Sequence, residues 1–211
     1  MLKQPVKRYL GSGILIAIEG IDGAGKTIQA EMLRKNLESK GLEVASFKEP
    51  TSSPSGMKIR ELGKNGRDTP VEVEFKLFLE DRRFDVDNNV RPALKSGKIV
   101  VVDRYYYSSI AYQGARGMSP EQIEESNLEF APVPDLMILL DISPQTAKDR
   151  IQSRNEGKNH FEQRLGPVRA IFKDIARNHS EVKEIDGEQS VQVIQSKIVQ
   201  LVSYLLAKYQ E

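Results

Sequence analysis

The stretch ILIAIEGIDGAGKT, residues 14–27, joins an apolar run to a glycine-rich loop. Its first five residues are aliphatic or small, a composition typical of a buried strand. Residues 20–27 match the pattern Gly-x4-Gly-Lys-Ser/Thr in its required setting between a strand and a helix. Glycines let backbone N–H groups surround a phosphate, and the dipole of the following helix points at the same anion. The stretch therefore predicts a nucleoside triphosphate site; the alternative is an ordinary glycine-rich turn.

Individual residues of this loop have distinct predicted roles. Lys26 can reach the terminal phosphates, and the hydroxyl of Thr27 can bind Mg²⁺. The usual second threonine is Ile28, which leaves the metal to Thr27. The predicted ATP-binding residues are Gly20, Ile21, Asp22, Gly23, Ala24, Gly25, Lys26 and Thr27.

Short apolar runs alternate with amphipathic segments along the rest of the chain. Strands are predicted at residues 14–18, 43–47, 99–102, 136–140 and 182–185, and helices at 29–39, 75–96, 120–129, 144–154, 168–178 and 191–208. This alternation predicts an α/β domain with a mainly parallel sheet covered on both faces. No linker divides residues 1–211, so we expect a single domain whose first dozen residues form a flexible extension.

Composition excludes several classes of protein. The chain has 211 residues, no cysteine and a formal net charge of +1. The near-neutral charge argues against a nucleic-acid partner, and the lack of cysteine excludes disulfides and Cys-ligated metal sites. No apolar stretch approaches the roughly 20 residues of a membrane span. We therefore expect a cytoplasmic protein without membrane or nucleic-acid partners.

A second polar stretch, DRYYYSSIAYQG, follows the buried run at residues 99–102. Its Asp103 stands where phosphate-loop proteins carry a metal acid, but the next residue is Arg104 and not the glutamate common in motor and transport ATPases. The base-reading Asn-Lys-x-Asp pattern of switch GTPases is also missing at a suitable place. An arginine beside the acid favours a second phosphate-bearing ligand, as in transfer between two phosphate esters.

Several motifs together resemble the thymidylate kinase family: EGIDGAGKT, KEP, FLEDR, RPAL, DRYYYSSIAYQG and PDLMILLD occur in its order and approximate spacing. The resemblance covers most of residues 14–178. It implies a three-layer α/β/α P-loop NTPase fold with a five-stranded, mainly parallel sheet. It also implies a homodimer that uses Mg²⁺ and ATP to phosphorylate dTMP.

The same resemblance implies roles for residues of the acceptor site. Phe78 would stack on thymine, and Arg82, one helical turn later, would reach the base and the acceptor phosphate. Periodicity alone favours an ordinary core aromatic at Phe78, and it is the Phe-x3-Arg spacing in the family pattern that favours the stacking role. The remaining implied dTMP contacts are Asp22, Lys48, Arg104, Ser108, Ser109, Tyr112 and Gln113.

Catalytic and metal roles follow from the same family pattern. Arg104 would bridge the two phosphates and Asp103 would help Thr27 to hold Mg²⁺, with a structural Asp–Arg pair as the alternative. Asp22 would contact the acceptor sugar or the metal region. At least one residue of the Tyr105–Tyr107 run is expected in the core or a dimer surface, because adjacent helical positions diverge by about 100°.

This sequence departs from the family pattern at three places, the first being Ile28 where the family usually has a second threonine. Lys48 replaces an arginine, which exchanges a bidentate fork for a flexible point charge. Ala24 stands where some relatives carry a catalytic arginine, so Arg150, Arg154 and Lys158 become candidates in a lid at about 150–166. The alternative for these cations is a solvated helix face.

The predicted catalytic residues are Lys26, Arg104, Asp22, Arg154 and Arg150. Three other functions stay open at this point. The first two are kinases of another deoxynucleotide or of a deoxynucleoside, and the third is a non-catalytic nucleotide-binding switch.

Overall fold

Five parallel strands form the centre of the computed structural model, which describes residues 13–65, 69–153 and 164–208. The strands are β1 (Ile14–Glu19), β2 (Val44–Lys48), β3 (Ile99–Asp103), β4 (Leu136–Asp141) and β5 (Val182–Asp186). Their order in the sheet is β2-β3-β1-β4-β5, and every neighbouring pair is parallel. The predicted α/β fold with a five-stranded parallel sheet is confirmed.

The helices connect successive strands. They are α1 (Lys26–Ser39), α2 (Pro54–Asn65), α3 (Val71–Asp85), α4 (Arg91–Lys95), α5 (Tyr106–Gly114), α6 (Pro120–Leu128), α7 (Pro144–Gln152), α8 (Leu165–Asn178) and α9 (Val191–Ala207). A π-helical turn, Val86–Val90, joins α3 to α4. Helix α1 packs against α9, while α5 packs against α3, α6 and α8. Among the described helices none is both long and apolar enough to cross a bilayer.

The sequence explains why the central strands are β1, β3 and β4. All residues of β1 and β3 are buried, and β4 is buried up to its last residue, as their continuous apolar runs require. The outer strand β2 has only half-buried and exposed positions, and the outer strand β5 mixes buried and exposed ones, as sheet edges do. Since the strands are parallel, the carboxyl ends of β1, β2 and β3 meet at one edge of the sheet.

Helix α2 is absent from the predicted helices, because the proline and glycine residues in 50–56 and 63–70 are typical of loops. In the structure Ser53 caps it: the Ser53 Oγ accepts a hydrogen bond from the Gly56 backbone N–H at 3.0 Å, and Pro54 follows as the first helical residue. Serine followed by proline is the signal that could have identified this helix. The predicted helix 75–96 is three consecutive segments, α3, the π-helical turn and α4.

Candidate active site

The glycine-rich loop contains backbone conformations that only glycine adopts easily. Gly23 and Gly25 have φ angles of +85° and +92°, and α1 begins at the next residue, Lys26. The Lys26 ammonium donates to the carbonyl oxygens of Gly20 at 2.9 Å and Ile21 at 2.8 Å. Burial, together with the nearby positive charge of Arg104, lowers the pKa of Lys26 to about 8. The loop thus carries a cation inside its curve, beside the start of a helix, where phosphate oxygens bind.

Oxygen ligands for a divalent cation lie next to this loop. The Thr27 hydroxyl donates to Asp103 Oδ2 at 2.5 Å, and Asp103 Oδ1 is buried without a hydrogen-bond partner among the described residues. A hydroxyl and a carboxylate with an unused oxygen suit Mg²⁺, which also keeps water and phosphate oxygens as ligands. The described residues contain no cluster of three or more His, Cys, Asp or Glu that could hold a metal by itself. The residues present therefore fit Mg²⁺ bound together with a nucleotide.

Asp22, Arg104 and Tyr112 form a charged cluster over the loop. Arg104 forms an ion pair with Asp22, and the Tyr112 hydroxyl donates to Asp22 Oδ2 at 2.9 Å. Burial acts to raise the pKa of Asp22, but the charges of Arg104 and Lys26 outweigh it and lower that pKa. Asp22 is thus held ionised between two cations.

The backbone of Arg104 is left-handed, with a φ angle of +73°. Its N–H donates to the carbonyl oxygen of Ile18 at 3.1 Å, which ties this conformation to the end of β1. A non-glycine residue in this region costs about 1–3 kcal/mol and is found mostly at functional sites. The turn directs the guanidinium toward Asp22 and toward the Ser108 hydroxyl, 3.3 Å away.

Two cavities meet at this cluster. One, of about 370 Å³, is lined by residues of the glycine-rich loop and by Asp103, and we call it the donor cavity. The other, of about 260 Å³, extends between α2, α3 and α5, and we call it the acceptor cavity. Asp22, Lys48 and Arg104 line both. A group bound in one cavity would therefore face a group bound in the other across three charged side chains.

The acceptor cavity collects all but one of the residues predicted to bind dTMP. These are Asp22, Lys48, Phe78, Arg104, Ser108, Ser109, Tyr112 and Gln113. Residues that the sequence reasoning missed complete the wall: Pro50, Ile59, Arg60, Gly63 and Lys64, most of them on the unpredicted helix α2.

Arg82 is the predicted contact that does not line the cavity. Its side chain is 1% exposed and forms an ion pair with Glu49, with Nη2 2.6 Å from Glu49 Oε2. Arg82 Nη1 also donates to Ser109 Oγ at 3.1 Å and to Asn127 Oδ1 at 2.7 Å. Burial raises the pKa of Glu49 to about 8, against the opposing charge of Arg82. Arg82 therefore supports Ser109 from behind the wall, and its direct contact with the acceptor stays a prediction.

The Gln113 side chain uses its amide nitrogen within the protein and leaves its amide oxygen to accept a further hydrogen bond. Its Nε2 donates to Glu74 Oε1 at 2.8 Å, while its Oε1 is buried without a partner among the described residues. The other oxygen of Glu74 accepts from Arg116 at 2.7 Å. Since a carboxylate only accepts, Glu74 sets the orientation of the Gln113 amide.

Helix α5, which carries the polar residues of the acceptor cavity, is anchored by a buried acid that sequence reasoning missed. Glu19, at the end of β1, accepts from the backbone N–H groups of Tyr105 at 2.7 Å and Ser108 at 3.1 Å, and from Ser108 Oγ at 2.6 Å. All of Tyr105, Tyr106 and Tyr107 are buried, which confirms that part of this run belongs to the core.

The predicted lid is described only in part. Arg150 donates to the carbonyl oxygens of Gly23 at 3.4 Å and Gly187 at 3.0 Å, and so joins the glycine-rich loop to the loop after β5. Arg154 and Lys158 lie outside the described residues.

Comparison with known proteins agrees with this geometry. The model of the thymidylate kinase family matches residues 18–198. The chain is 43% identical to the thymidylate kinase of Desulfotalea psychrophila over 197 residues, which are 92% of this chain and 96% of that protein. It is 47% identical to the thymidylate kinase of Xanthomonas oryzae pv. oryzae over 162 residues, 76% of this chain and 70% of that protein. The resemblance inferred from the motifs is confirmed.

Proposed function

The chain belongs to the thymidylate kinase family, and we propose that it transfers the γ-phosphate of ATP to dTMP, giving ADP and dTDP. The observation that carries this proposal is the wall shared by the two cavities. Asp22, Lys48 and Arg104 face both, so a triphosphate in the donor cavity and a monophosphate in the acceptor cavity would meet at the same charges. Such an arrangement suits direct transfer, where positioning and charge neutralisation supply most of the catalysis.

On the donor side, the glycine-rich loop binds the phosphates through its backbone N–H groups, and Lys26 binds the terminal ones. Thr27 and Asp103 hold Mg²⁺ in this proposal. When bound, the metal neutralises charge on the transferred phosphate. Arg104 stabilises the charge that develops between donor and acceptor, and Asp22 holds the Arg104 guanidinium in place. A general base is not required, because the acceptor monophosphate is already largely ionised near pH 7.

On the acceptor side, Phe78 stacks on the base, while Ser109 and the acceptor oxygen of Gln113 lie at its edge. An acceptor oxygen suits the N–H at position 3 of thymine and opposes the unprotonated nitrogen of cytosine. The thymine methyl adds only about 0.8 kcal/mol of burial, so dUMP should be a poorer substrate and not an excluded one. Tyr112 packs where a ribose 2′-hydroxyl would intrude.

The test is steady-state phosphorylation of dTMP, dUMP, dCMP, ribosyl-TMP and free thymidine, followed by ADP release. We expect dTMP to be preferred, dUMP to be weaker by several-fold, and the other acceptors to be poor. Arg104→Ala should lower kcat/KM for dTMP by about a hundredfold or more, as removal of one charge-stabilising donor does. Preference for thymidine or for another nucleotide would replace the proposed acceptor. ATP binding without turnover of any acceptor would support a non-catalytic switch.

Homodimerisation, a single domain over residues 1–211 with a lid at about 150–166, and a cytoplasmic location are further parts of the proposal. Helices α2 and α3 pack together and expose Met57, Val73 and Phe84. We assign this apolar face to a second copy of the chain. Light scattering should give twice the chain mass, and Phe84→Glu should reduce it toward the monomer. A monomeric wild-type protein at micromolar concentration would contradict the assignment.

A further inference from the structure

Lys48 stands at the last position of β2, directly opposite Asp103 in the register of β2 and β3. Its ammonium donates to Thr27 Oγ1 at 2.9 Å and lies 3.3 Å from Asp103 Oδ2. These are the two side chains that fit Mg²⁺. Lys48 therefore binds the Thr27 hydroxyl that the metal would need, and its charge lies beside the carboxylate that would hold the metal.

An ammonium and a divalent cation compete for the Thr27 hydroxyl oxygen. Both are positively charged, so they also repel each other beside Asp103, even when the metal uses the unpaired Oδ1 of that carboxylate. The Lys48 side chain is 56% exposed, so packing does not hold it in one place. A four-carbon stem with a compact charge at its end can take up another position at low cost.

The acceptor cavity is the other surface that Lys48 lines. Its described cations are otherwise engaged or remote from the shared wall. Arg60 donates to the carbonyl oxygens of Thr51 and Pro50, both at 2.6 Å, and Arg104 is paired with Asp22. Lys48 thus lines both cavities, and its present partner, Asp103, is a residue that a bound metal would use.

We propose that Lys48 is a transferable counter-ion that couples the two substrate sites. Without metal it pairs with Thr27 and Asp103. When the metal–nucleotide complex binds, the ammonium leaves these residues and binds the phosphate of the acceptor. Metal-bound nucleotide then raises the affinity for the acceptor, and by linkage the acceptor raises the affinity for metal-bound nucleotide equally. This inference rests on the proposed function.

The experiment measures binding by calorimetry with a non-hydrolysable ATP analogue, in Mg²⁺ or in EDTA, with and without dTMP. In the wild type we expect the Mg²⁺-bound analogue to tighten dTMP binding by about fivefold or more, a typical coupling, and the metal-free analogue not to do so. In Lys48→Met the Mg²⁺-bound analogue should bind tighter than in the wild type, because the competing cation is gone. The same variant should bind dTMP more weakly and without a response to metal.

Two variants serve as controls. Lys48→Arg keeps the positive charge and should keep a metal response. Lys98→Met removes an equal charge at the opposite end of β3, where Lys98 lies 4.0 Å from Glu43, and should leave every affinity at its wild-type value.

The opposite changes of two affinities distinguish coupling from a structural role, which would weaken binding of both ligands. The inference is overturned if Lys48→Met weakens the Mg²⁺-bound analogue, or if coupling persists in that variant. If wild-type protein phosphorylates dTMP but shows no metal-dependent coupling, only this inference fails. If it neither binds nor phosphorylates dTMP, the proposed function fails with it.

Discussion

Breaking the ion pair between Arg82 and Glu49 should destabilise the protein strongly, because both side chains are almost completely buried, at 1% and 3% exposure. Replacing Arg82 by methionine leaves the Glu49 carboxylate without its cation and removes the donors that serve Ser109 and Asn127. Loss of one partner from a buried pair costs about 3–5 kcal/mol, so Arg82→Met should lower the free energy of unfolding by about 4 kcal/mol. That is a large part of the stability of an ordinary domain.

A double-mutant cycle isolates the pair from the rest of the cluster. With Glu49→Gln added to Arg82→Met, the uncompensated charge disappears, and we expect at least about 2 kcal/mol of the loss to be recovered. The measurement is equilibrium unfolding in urea, monitored by circular dichroism. Arg34→Met is the matched control, since Arg34 contacts Glu31 and Glu38 on an exposed face of α1 and should unfold at the wild-type urea concentration.

The cost of Arg82→Met should also grow with pH. Burial raises the pKa of Glu49, so the folded variant retains a proton that the unfolded chain loses near the ordinary pKa of 4.5. Its stability therefore falls as pH rises above that value, and it goes on falling above about pH 8, where in the wild type Arg82 lets Glu49 ionise. A double variant no more stable than Arg82→Met, or a loss independent of pH, would refute this reasoning. A raised KM for dTMP at restored stability would show that Arg82 acts on acceptor binding, either directly or through Ser109.

Three further predictions concern other parts of the site and its support. Gly23→Ala should abolish ATP binding and cost more stability than Gly41→Ala. An added Cβ at Gly23 would lie 2.8 Å from the Ala147 carbonyl oxygen. At Gly41 an added Cβ meets nothing within 4 Å, so the substitution costs only the strain of a left-handed backbone, about 1–2 kcal/mol. Phe78→Ala should raise KM for dTMP by about 5- to 150-fold in steady-state assays, the equivalent of about 1–3 kcal/mol of base stacking, with KM for ATP little changed. The hydrogen bond to Glu181, with the charge of Glu124, raises the pKa of His179. Protonated His179 therefore contributes its full stabilisation below pH 6.5, and this is lost as pH rises through the pKa of His179 in the folded protein. The thermal unfolding temperature of His179→Gln should lack this decline above pH 6.5.

The parts of this molecule that could be predicted from sequence are those with a local physical cause. Continuous apolar runs predicted the buried strands, and the structure extends the carboxyl end of all five predicted strands by a single residue. The glycine-rich loop was predictable because the spacing of its glycines, lysine and threonine is specific to phosphate binding. Ser53 and Pro54 are a local signal for the start of helix α2 as well. The helix has few apolar side chains, so its hydrophobic pattern alone did not indicate a helix. Missing α2 also meant missing Ile59 and Arg60 in the acceptor wall.

Pairings between distant segments could not be predicted in the same way. Glu49 follows β2 and Arg82 lies on α3, so their contact depends on how the two elements pack. Glu19 looks like an exposed polar end of β1, yet it is fully buried and binds the start of α5. Neither spacing nor composition distinguishes such an acid from a solvated one. The chemistry available to a side chain follows from its residue type and local sequence, but the partner that it contacts is decided by tertiary structure.

The shared wall shows how far the sheet itself arranges the chemistry. Register places Lys48 opposite Asp103 and Asp103 opposite Ile18, so the ends of β2, β3 and β1 lie side by side. The charges of Lys48 and Asp103 therefore lie at one edge, together with Asp22 from the loop after β1. Among the described charged residues of the donor cavity, three cations face two carboxylates, which leaves little excess positive charge. A triphosphate and a monophosphate brought together there carry several negative charges. The wall can orient these anions, but neutralising them needs added cations, which is why both Mg²⁺ and the arginines predicted for the lid belong to the proposed reaction.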